Sequence, residues 1–256
     1  MTVIQNDITF YWIGLLVITI YGLCIGSFLN VVILRLPIHE SLSKRESHCF
    51  KCGKSIKWYD NIPVFSYIAL GGKCRNCGNK ISIQYPLIEI TNTFIWVLIY
   101  LRYKISIDTV IYVSLASALL ALSVIDERTF EIPIQINYFI GVLGLIATAI
   151  DYRQWYNHII GMLVVSVFLL VIWFITDGLG FGDVKLMFFA GLVVGWKIII
   201  VGFLTGCLVA IPVHVLRMKI SNKAHKLAFG PYLSFGIYTA LFIGEQVADI
   251  YISWLQ

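Results

Sequence analysis

Long apolar stretches separated by short polar ones dominate the hydrophobicity pattern of this chain. One apolar run covers residues 8–34, and seven more follow a long polar segment. Their approximate limits are 86–101, 108–125, 134–150, 158–175, 184–194, 198–216 and 231–254. A bilayer crossing needs about 20 mostly apolar residues, and runs of this kind are typical of transmembrane helices. The pattern predicts an all-α polytopic membrane protein with about eight transmembrane helices.

The composition supports a chain that lies in lipid. Of 256 residues, 59% are hydrophobic and 13% are charged, and the mean hydropathy is +0.85. A soluble domain of this length could not bury so much apolar surface in a single core. We therefore expect the lipid bilayer to surround much of the chain, and we expect no nucleic-acid partner.

The distribution of basic residues predicts the orientation in the membrane. Residues 35–85 form the one long polar segment and hold nine of the 19 Lys and Arg residues. With the N-terminus outside, alternating loops place 15 of the 19 basic residues on the inner side. Basic residues concentrate in cytoplasmic loops, so this orientation is favoured over its inverse. It places the 35–85 segment, and one end of the runs 108–125 and 184–194, at the cytoplasmic face.

Four cysteines form two CxxCG sequences in the polar segment. Cys49 and Cys52 make the first pair and Cys74 and Cys77 the second, with 21 residues between the pairs. This spacing is close to that of structural zinc sites, one residue beyond the usual range, in which each pair supplies two thiolates to one tetrahedral ion. A segment this small also needs such a staple to fold. Redox-active dithiols or disulfides are the alternative, although disulfides do not persist in a reducing cytoplasm.

Two aspartates at the predicted cytoplasmic membrane face are candidate catalytic residues. Asp126 ends the third run, and Asp183 opens the sixth within a frame of Gly180 and Gly182. A carboxylate at the edge of the hydrocarbon layer is costly, which makes it a functional candidate. Two carboxyls brought together cannot both ionise cheaply, so one keeps a proton. Such a pair can act as general base and general acid in amide hydrolysis.

Other interpretations of these residues stay open at this point. Each aspartate could be an ordinary interfacial residue or a helix cap. Glu127, Glu131 and Asp177 lie nearby in the sequence and compete for the same role. Lys185 could orient Asp183 or extend to the lipid headgroups.

The order of motifs along the chain resembles the type IV prepilin peptidases, also called leader peptidases/N-methyltransferases. These enzymes are GxGD-type membrane aspartic proteases. The matching sequences are GSFLNVVILRLP, the first CxxC, DNIP, GGKCRNC, ISIQYPLIE ending at Glu89, Ile125-Asp126, GFGDVKL and FGPYLSFG. The resemblance covers nearly the whole chain. One departure is Ile134, where many members have Asp.

The resemblance implies an activity and a set of partners. Such an enzyme cuts the short basic leader from prepilins or pseudopilins, after a glycine, at the cytoplasmic face of the bacterial inner membrane. Asp126 and Asp183 would be its catalytic pair; Lys185, beside Asp183, and Glu89, which ends the ISIQYPLIE match, are further candidates for a secondary role. The substrate brings an apolar N-terminal helix. Many members then methylate the new N-terminus with S-adenosylmethionine, an activity associated with the cysteine segment, whose four cysteines are expected to bind zinc; no donor-binding residues are identified.

This interpretation divides the chain into three parts. Residues 1–34 would form the first transmembrane segment, 35–85 the zinc-stapled cytoplasmic domain and 86–256 the membrane peptidase domain. Three alternatives remain: a membrane thiol oxidoreductase that uses the CxxC pairs, a transporter with a zinc-binding loop, and a GxGD protease of another substrate class.

Overall fold

The computed structural model describes residues 2–42, 47–176, 180–221 and 227–255, and these ranges are largely helical. They contain no strand, only isolated bridges between His48 and Ser55 and between Lys73 and Lys80. The all-α prediction is therefore confirmed. The helices are α1 Thr2–Arg35, α2 Phe65–Ala69, α3 Gln84–Tyr103, α4 Ile107–Thr129, α5 Ile134–Ile150, α6 Trp155–Ile175, α7 Phe181–Ser221 and α8 Gly230–Leu255.

The predicted number of about eight membrane crossings is not confirmed. Four described stretches are long and apolar enough to cross a bilayer, and α5 is apolar but shorter. These four stretches are Thr9–Ile38, Ile107–Thr129, Tyr152–Ile175 and Phe181–Leu216. Helices α3 and α8 occupy the predicted runs 86–101 and 231–254 but lie outside that set. The runs 184–194 and 198–216 are both parts of α7, which is interrupted at Gly195 (φ 77°, ψ 173°).

The chain forms two compact units, and the first extends to Ser117. In this unit α1 packs against α3. A chain of buried hydrogen bonds runs from Trp96 Nε1 to Ser117 Oγ (2.9 Å), from that hydroxyl to Asn92 Oδ1 (2.8 Å), and from Asn92 Nδ2 to the Gly22 carbonyl oxygen (2.8 Å). Polar side chains between apolar helices find partners on neighbouring helices in this way. The bonds fix α3 against α1 and against the middle of α4.

The second unit contains the end of α4 and helices α5 to α8. Helices α6 and α7 cross at Gly161 and Gly191, where a Cβ atom added to Gly191 would lie only 2.6 Å from the Gly161 carbonyl carbon. Glycine at a crossing lets two helix backbones approach closely. Beside the interruption of α7, Asn157 Oδ1 accepts the Trp196 N–H at 3.3 Å, which partners a backbone group left without its helical bond.

Candidate functional site

Asp126 lies near the end of α4 and is only 5% exposed. Its Oδ2 accepts the backbone N–H of Gly230, the first residue of α8, at 2.9 Å. The first N–H groups of a helix have no partner within the helix, and the helix dipole adds partial positive charge there. The carboxylate therefore gives an unpaired N–H group at the beginning of α8 a hydrogen-bond partner, and the same bond fixes the position of the carboxylate.

Gly230 is a functional candidate that the sequence interpretation missed. A Cβ atom at this position would lie 2.7 Å from Asp126 Oδ2 and 3.0 Å from Leu122 Cδ2. Any larger residue would push the carboxylate away from the N–H that holds it. A glycine followed directly by Pro231 at the beginning of an apolar run is a helix-start signal, since proline favours the first turn. That signal indicates the helix end, but it does not indicate which carboxylate the end contacts.

Asp183 lies in the first turn of α7 and is 7% exposed. Its backbone N–H donates to the Gly180 carbonyl oxygen at 3.1 Å. The carboxyl groups of Asp183 and Asp126 lie within range of a direct Coulombic interaction. The second unit therefore brings together two buried acids that are far apart in the sequence. Two buried carboxyls that act on each other through their charge do not both ionise readily, so one keeps its proton and the pair can act as acid and base.

The two glycines of the predicted frame, Gly180 and Gly182, have different neighbours: the first faces the Asp183 carboxylate and the second faces Ile132. A Cβ atom at Gly180 would be 3.2 Å from Asp183 Oδ2, so a side chain there would crowd the carboxylate. A Cβ atom at Gly182 would be 3.0 Å from the Ile132 Cβ atom. Gly182 therefore lets the first turn of α7 pack against the segment that precedes α5.

The remaining candidates lie in several places. Glu127 and Glu131 are exposed, whereas Asp177 lies outside the described residues. Lys185 Nζ lies 4.7 Å from the centre of the Phe181 ring, which is the geometry of a cation–π contact. The ring gives the ammonium a partner within its own helix turn.

The other predicted secondary residue, Glu89, belongs to the first unit. It is 5% exposed and its Oε2 accepts the Val64 N–H at 2.7 Å. This bond ties the loop before α2 to α3.

The four clustered cysteines can hold a metal ion. The Sγ atoms of Cys49, Cys52, Cys74 and Cys77 all lie within 4.8 Å of one another, and those of Cys49 and Cys77 are 3.8 Å apart. Four thiolates around zinc, at about 2.3 Å from the ion, are separated by about 3.8 Å in a tetrahedron. The cluster therefore has the donor type and the spacing of a tetrahedral thiolate site.

The two CxxCG sequences fold into matching turns. The Gly53 N–H donates to the Cys49 carbonyl oxygen (2.8 Å), and the Gly78 N–H donates to the Cys74 carbonyl oxygen (2.9 Å). Both glycines have positive φ, at 70° and 67°, a conformation that other residues adopt at a cost. The glycine after each pair is therefore required by the turn that directs both sulfurs to one point.

Backbone amides prepare one of these thiols for a metal. The N–H groups of Cys52 and Lys51 lower the pKa of the Cys49 thiol to about 6. The Asn79 N–H lowers the pKa of Cys77, but burial and the neighbouring sulfur atoms outweigh it and raise the pKa to about 11. A metal ion must displace any proton that remains on a ligand thiol. Binding at this cluster therefore releases protons.

An ion pair supports the cysteine segment. Arg75 Nε lies 3.0 Å from both carboxylate oxygens of Asp60, and Arg75 Nη2 lies 2.6 Å from Oδ1. A guanidinium that contacts both oxygens is the stronger form of this pair. The hydrogen bonds and the positive charge of Arg75 hold the pKa of Asp60 below its usual value. Asp60 begins the DNIP sequence, so the pair joins that motif to the second CxxC turn.

The chain is similar to a known family of membrane peptidases over most of its length. Residues 20–103 match the profile of the bacterial Peptidase A24 N-terminal domain, and residues 113–215 match that of the type IV leader peptidase family. A prepilin leader peptidase/N-methyltransferase of Pseudomonas putida is 30% identical over 268 residues, 90% of each chain. Proteins of the same name from Bacillus subtilis (30% identity, 92% of this chain, 97% of the relative) and Xanthomonas campestris pv. campestris (32%, 90% and 92%) are also similar. No solved structure matches the chain.

Proposed function

Because this chain belongs to the type IV leader peptidase family, we propose that it removes the short basic leader from prepilins or pseudopilins, cutting after a glycine. It does so as an aspartic endopeptidase at the cytoplasmic face of a bacterial inner membrane. The observation that carries the proposal is the pair of buried acids Asp126 and Asp183 in the second unit. The thiol oxidoreductase and transporter alternatives have no support in the comparisons.

The two acids divide the chemistry of peptide hydrolysis between them. The ionised carboxyl takes a proton from a water molecule as the water oxygen attacks the carbonyl carbon of the scissile bond. The protonated carboxyl donates its proton to the carbonyl oxygen. A proton then passes to the amide nitrogen and the C–N bond breaks. The products are a leader that ends in a carboxylate and a mature protein with a new N-terminal amine.

The membrane setting explains how substrate and acids meet. The positive charge of the 35–85 segment favours a cytoplasmic position for this segment. The alternation of inner and outer loops that the sequence predicts puts the ends of α4 and α7 that hold the acids on the same side of the membrane. A prepilin brings an apolar helix directly after its cleavage site. That helix docks among the apolar helices of the enzyme, and the site must hold the peptide bond itself in an extended form.

We propose a second activity, in which the new N-terminal amine is methylated. Three relatives at about 30% identity over most of both chains carry N-methyltransferase in their names. S-adenosylmethionine would supply the methyl group as an electrophile. The residues 35–85 would form the domain for this reaction, between a transmembrane segment at 1–34 and a peptidase domain at 86–256. The four cysteines would hold structural zinc.

The decisive experiment is mass spectrometry of a pilin N-terminus after co-expression with this chain. The expected product lacks the leader, begins after the glycine and carries one added methyl group. Asp126→Asn and Asp183→Asn should each lower leader removal by about 100-fold or more, since each substitution removes a proton-transfer group but preserves size.

Glu245→Gln is the matched control for these variants. Glu245 is exposed on α8 in the same unit, and its substitution also removes one negative charge. All three variants should insert into the membrane in equal amounts. Normal leader removal by either aspartate variant would contradict the assignment of the catalytic pair.

A further inference from the structure

In the first unit, the loop before α2 lies at the level of the apolar part of α1. A Cβ atom added to Gly26 would be only 2.7 Å from the Glu89 Cα atom, so α1 and α3 touch backbone to backbone there. The Glu89 carboxylate accepts the Val64 N–H at 2.7 Å, which places Val64 within the reach of one side chain of that level. Arg35, the first charged residue of α1 after Gly26, lies about 13 Å further along the helix at 1.5 Å per residue.

The apolar stretch Thr9–Ile38 determines where lipid surrounds this level. It is 30 residues long, whereas one bilayer crossing takes about 20 residues. Every window of about 20 residues within the stretch contains Gly26. Whichever part spans the bilayer, the beginning of α2 therefore lies within the hydrocarbon layer or at its edge on the side of the cysteine segment.

Helix α2 has two different faces. Ser66 and Tyr67 line a cavity inside the unit, whereas Phe65 and Ile68 do not. Phe65 and Ile68 are 66% and 69% exposed and lie three positions apart, so they share one side of the helix. Ala69, one position further, is also exposed. These three residues form the outward face of α2, and that face is entirely apolar.

The backbone of this segment also meets a requirement that lipid imposes, because an N–H group without a partner is costly in hydrocarbon. The Ser66 and Ile68 N–H groups donate to the carbonyl oxygens of Ile62 and Val64 at 3.0 and 3.1 Å. The N–H of Val64, the residue that precedes α2, donates instead to Glu89. The buried carboxylate of Glu89 therefore provides the partner that a loop N–H needs at this depth.

We propose that α2 is an interfacial membrane segment whose outward face contacts the acyl chains of the adjacent leaflet near the headgroups. Trp58 is exposed on the short helix Trp58–Asn61, which packs against α2, and tryptophan concentrates at this boundary. Lys57 and Lys73 are exposed before and after these elements in the sequence and supply positive charge for anionic headgroups. The contact anchors the segment 47–82 to the membrane surface, whether or not the peptidase is active.

Photoactivatable phospholipids test the proposal on the unmodified full-length protein in nanodiscs of phosphatidylethanolamine and phosphatidylglycerol. The reactive diazirine is placed near the glycerol end of an acyl chain. Mass spectrometry should find lipid adducts on the outward face of α2 and none on Ser66 or Tyr67. Ile90 is the internal reference, because it is exposed on α3 directly after Glu89 and therefore lies at the same depth. Adducts on Ile90 without any in residues 62–70 would overturn the proposal.

Ile68→Asp tests the apolar character of the outward face. A carboxylate is costly in hydrocarbon, so lipid adducts in residues 62–70 should fall by about tenfold or more in this variant. Ile105→Asp is the matched control, because Ile105 is exposed directly after the other end of α3 in the same unit. It should leave the adducts in residues 62–70 unchanged. Equal adducts in the two variants would contradict a lipid contact at Ile68, and the measurement on the unmodified protein does not depend on either variant folding.

A crosslinker at position 65 distinguishes lipid from the other possible occupants of the outward face. Benzoylphenylalanine replaces Phe65 in the full chain, in cells that also make a prepilin. A crosslink to lipid supports the proposal. A crosslink to the prepilin would show that the face docks substrate, and a crosslink to residues beyond 118 would show that the second unit covers it. Either of these two results overturns the membrane contact.

Discussion

The hydrogen bond from the Gly230 N–H to Asp126 holds a candidate catalytic carboxyl at the beginning of a helix. The acid accepts a hydrogen bond and lies in the partial positive charge of the helix end, and no cationic side chain in the described ranges forms an ion pair with it. A lysine or arginine in that place would hold the carboxyl in an ion pair and compete with water and substrate for it. A backbone N–H leaves the second oxygen available. The absence of a side chain at Gly230 is what permits this contact.

Gly230→Ala should therefore impair leader removal more than folding. The new methyl group would begin 2.7 Å from Asp126 Oδ2, so the carboxylate must move. A misplacement of this size at a reacting group costs about 10- to 100-fold in rate. Turnover in a purified cleavage assay should fall by that factor, with little change in KM.

Gly244→Ala, on the same helix, provides the comparison. The nearest atoms to its new Cβ would be 3.3 Å away, which is tight but far from the two acids. It should retain most of the turnover. Equal turnover in the two variants would contradict the supporting role of Gly230.

The ion pair between Asp60 and Arg75 predicts a pH dependence for the cysteine segment. Because the pKa of Asp60 is lowered in the folded protein, the pair contributes stability above the usual Asp pKa of about 3.9. That contribution is lost as pH falls through the lower folded-state value. Hydrogen exchange of residues 57–82 should therefore show an additional loss of protection below about pH 4. Asp60→Asn should remove this step, and Asp108→Asn should keep it; an identical acid profile in Asp60→Asn would show that the pair is not responsible.

At the scale of elements, glycines set how closely the helices of the second unit pack. The crossing of α6 and α7 brings backbone against backbone at Gly161 and Gly191. Backbone atoms cannot move aside as a side chain can, so Gly191→Ala must separate the helices. Overpacking of this kind costs about 1–3 kcal/mol. The apparent Tm in detergent should fall clearly, whereas Gly180→Ala, where only the end of a flexible side chain is close, should leave it nearly unchanged. A Tm equal to that of the unmodified protein would contradict the close crossing.

The apolar runs predicted where helices form, because only a helix satisfies its own backbone in lipid. They did not predict the crossings. The interruption of α7 illustrates the reason, because the sequence offers only a short gap between two runs, while φ 77° at Gly195 and the Asn157 contact depend on α6. Helix α3 is a similar case. Its polar Asn92 is explained by hydrogen bonds with Gly22 and Ser117, which are distant in the sequence and could not be predicted from it.

At the scale of the whole molecule, the sequence predicted which residues are candidates for function better than it predicted the contacts that those residues make. The CxxCG spacing predicted a cysteine cluster because each pair forms a local turn, and the cluster then needs only that the two turns come together. The meeting of Asp126 with Gly230 joins residues 104 positions apart, and no periodicity encodes it. The cost of a carboxylate at the membrane edge made Asp126 and Asp183 candidates, and the family resemblance selected them over the neighbouring acids. Their catalytic role stays a prediction that the variants above test.

The two compact units lead to a prediction about how damage in one affects the other. Metal affinity at a four-cysteine site contributes directly to the folding of the segment around it. Cys52→Ser removes one of four ligands and should unfold residues 47–82, with loss of bound metal and of methylation. The hydrogen bonds and helix crossings of the second unit involve none of these residues, so leader removal should persist at a reduced but measurable rate.

Cys207→Ser, which changes a cysteine outside the cluster, should affect neither product. Mass spectrometry of the pilin, together with metal analysis, separates the outcomes: a cleaved but unmethylated product supports the prediction. Retained metal with a methylated product in Cys52→Ser would contradict it.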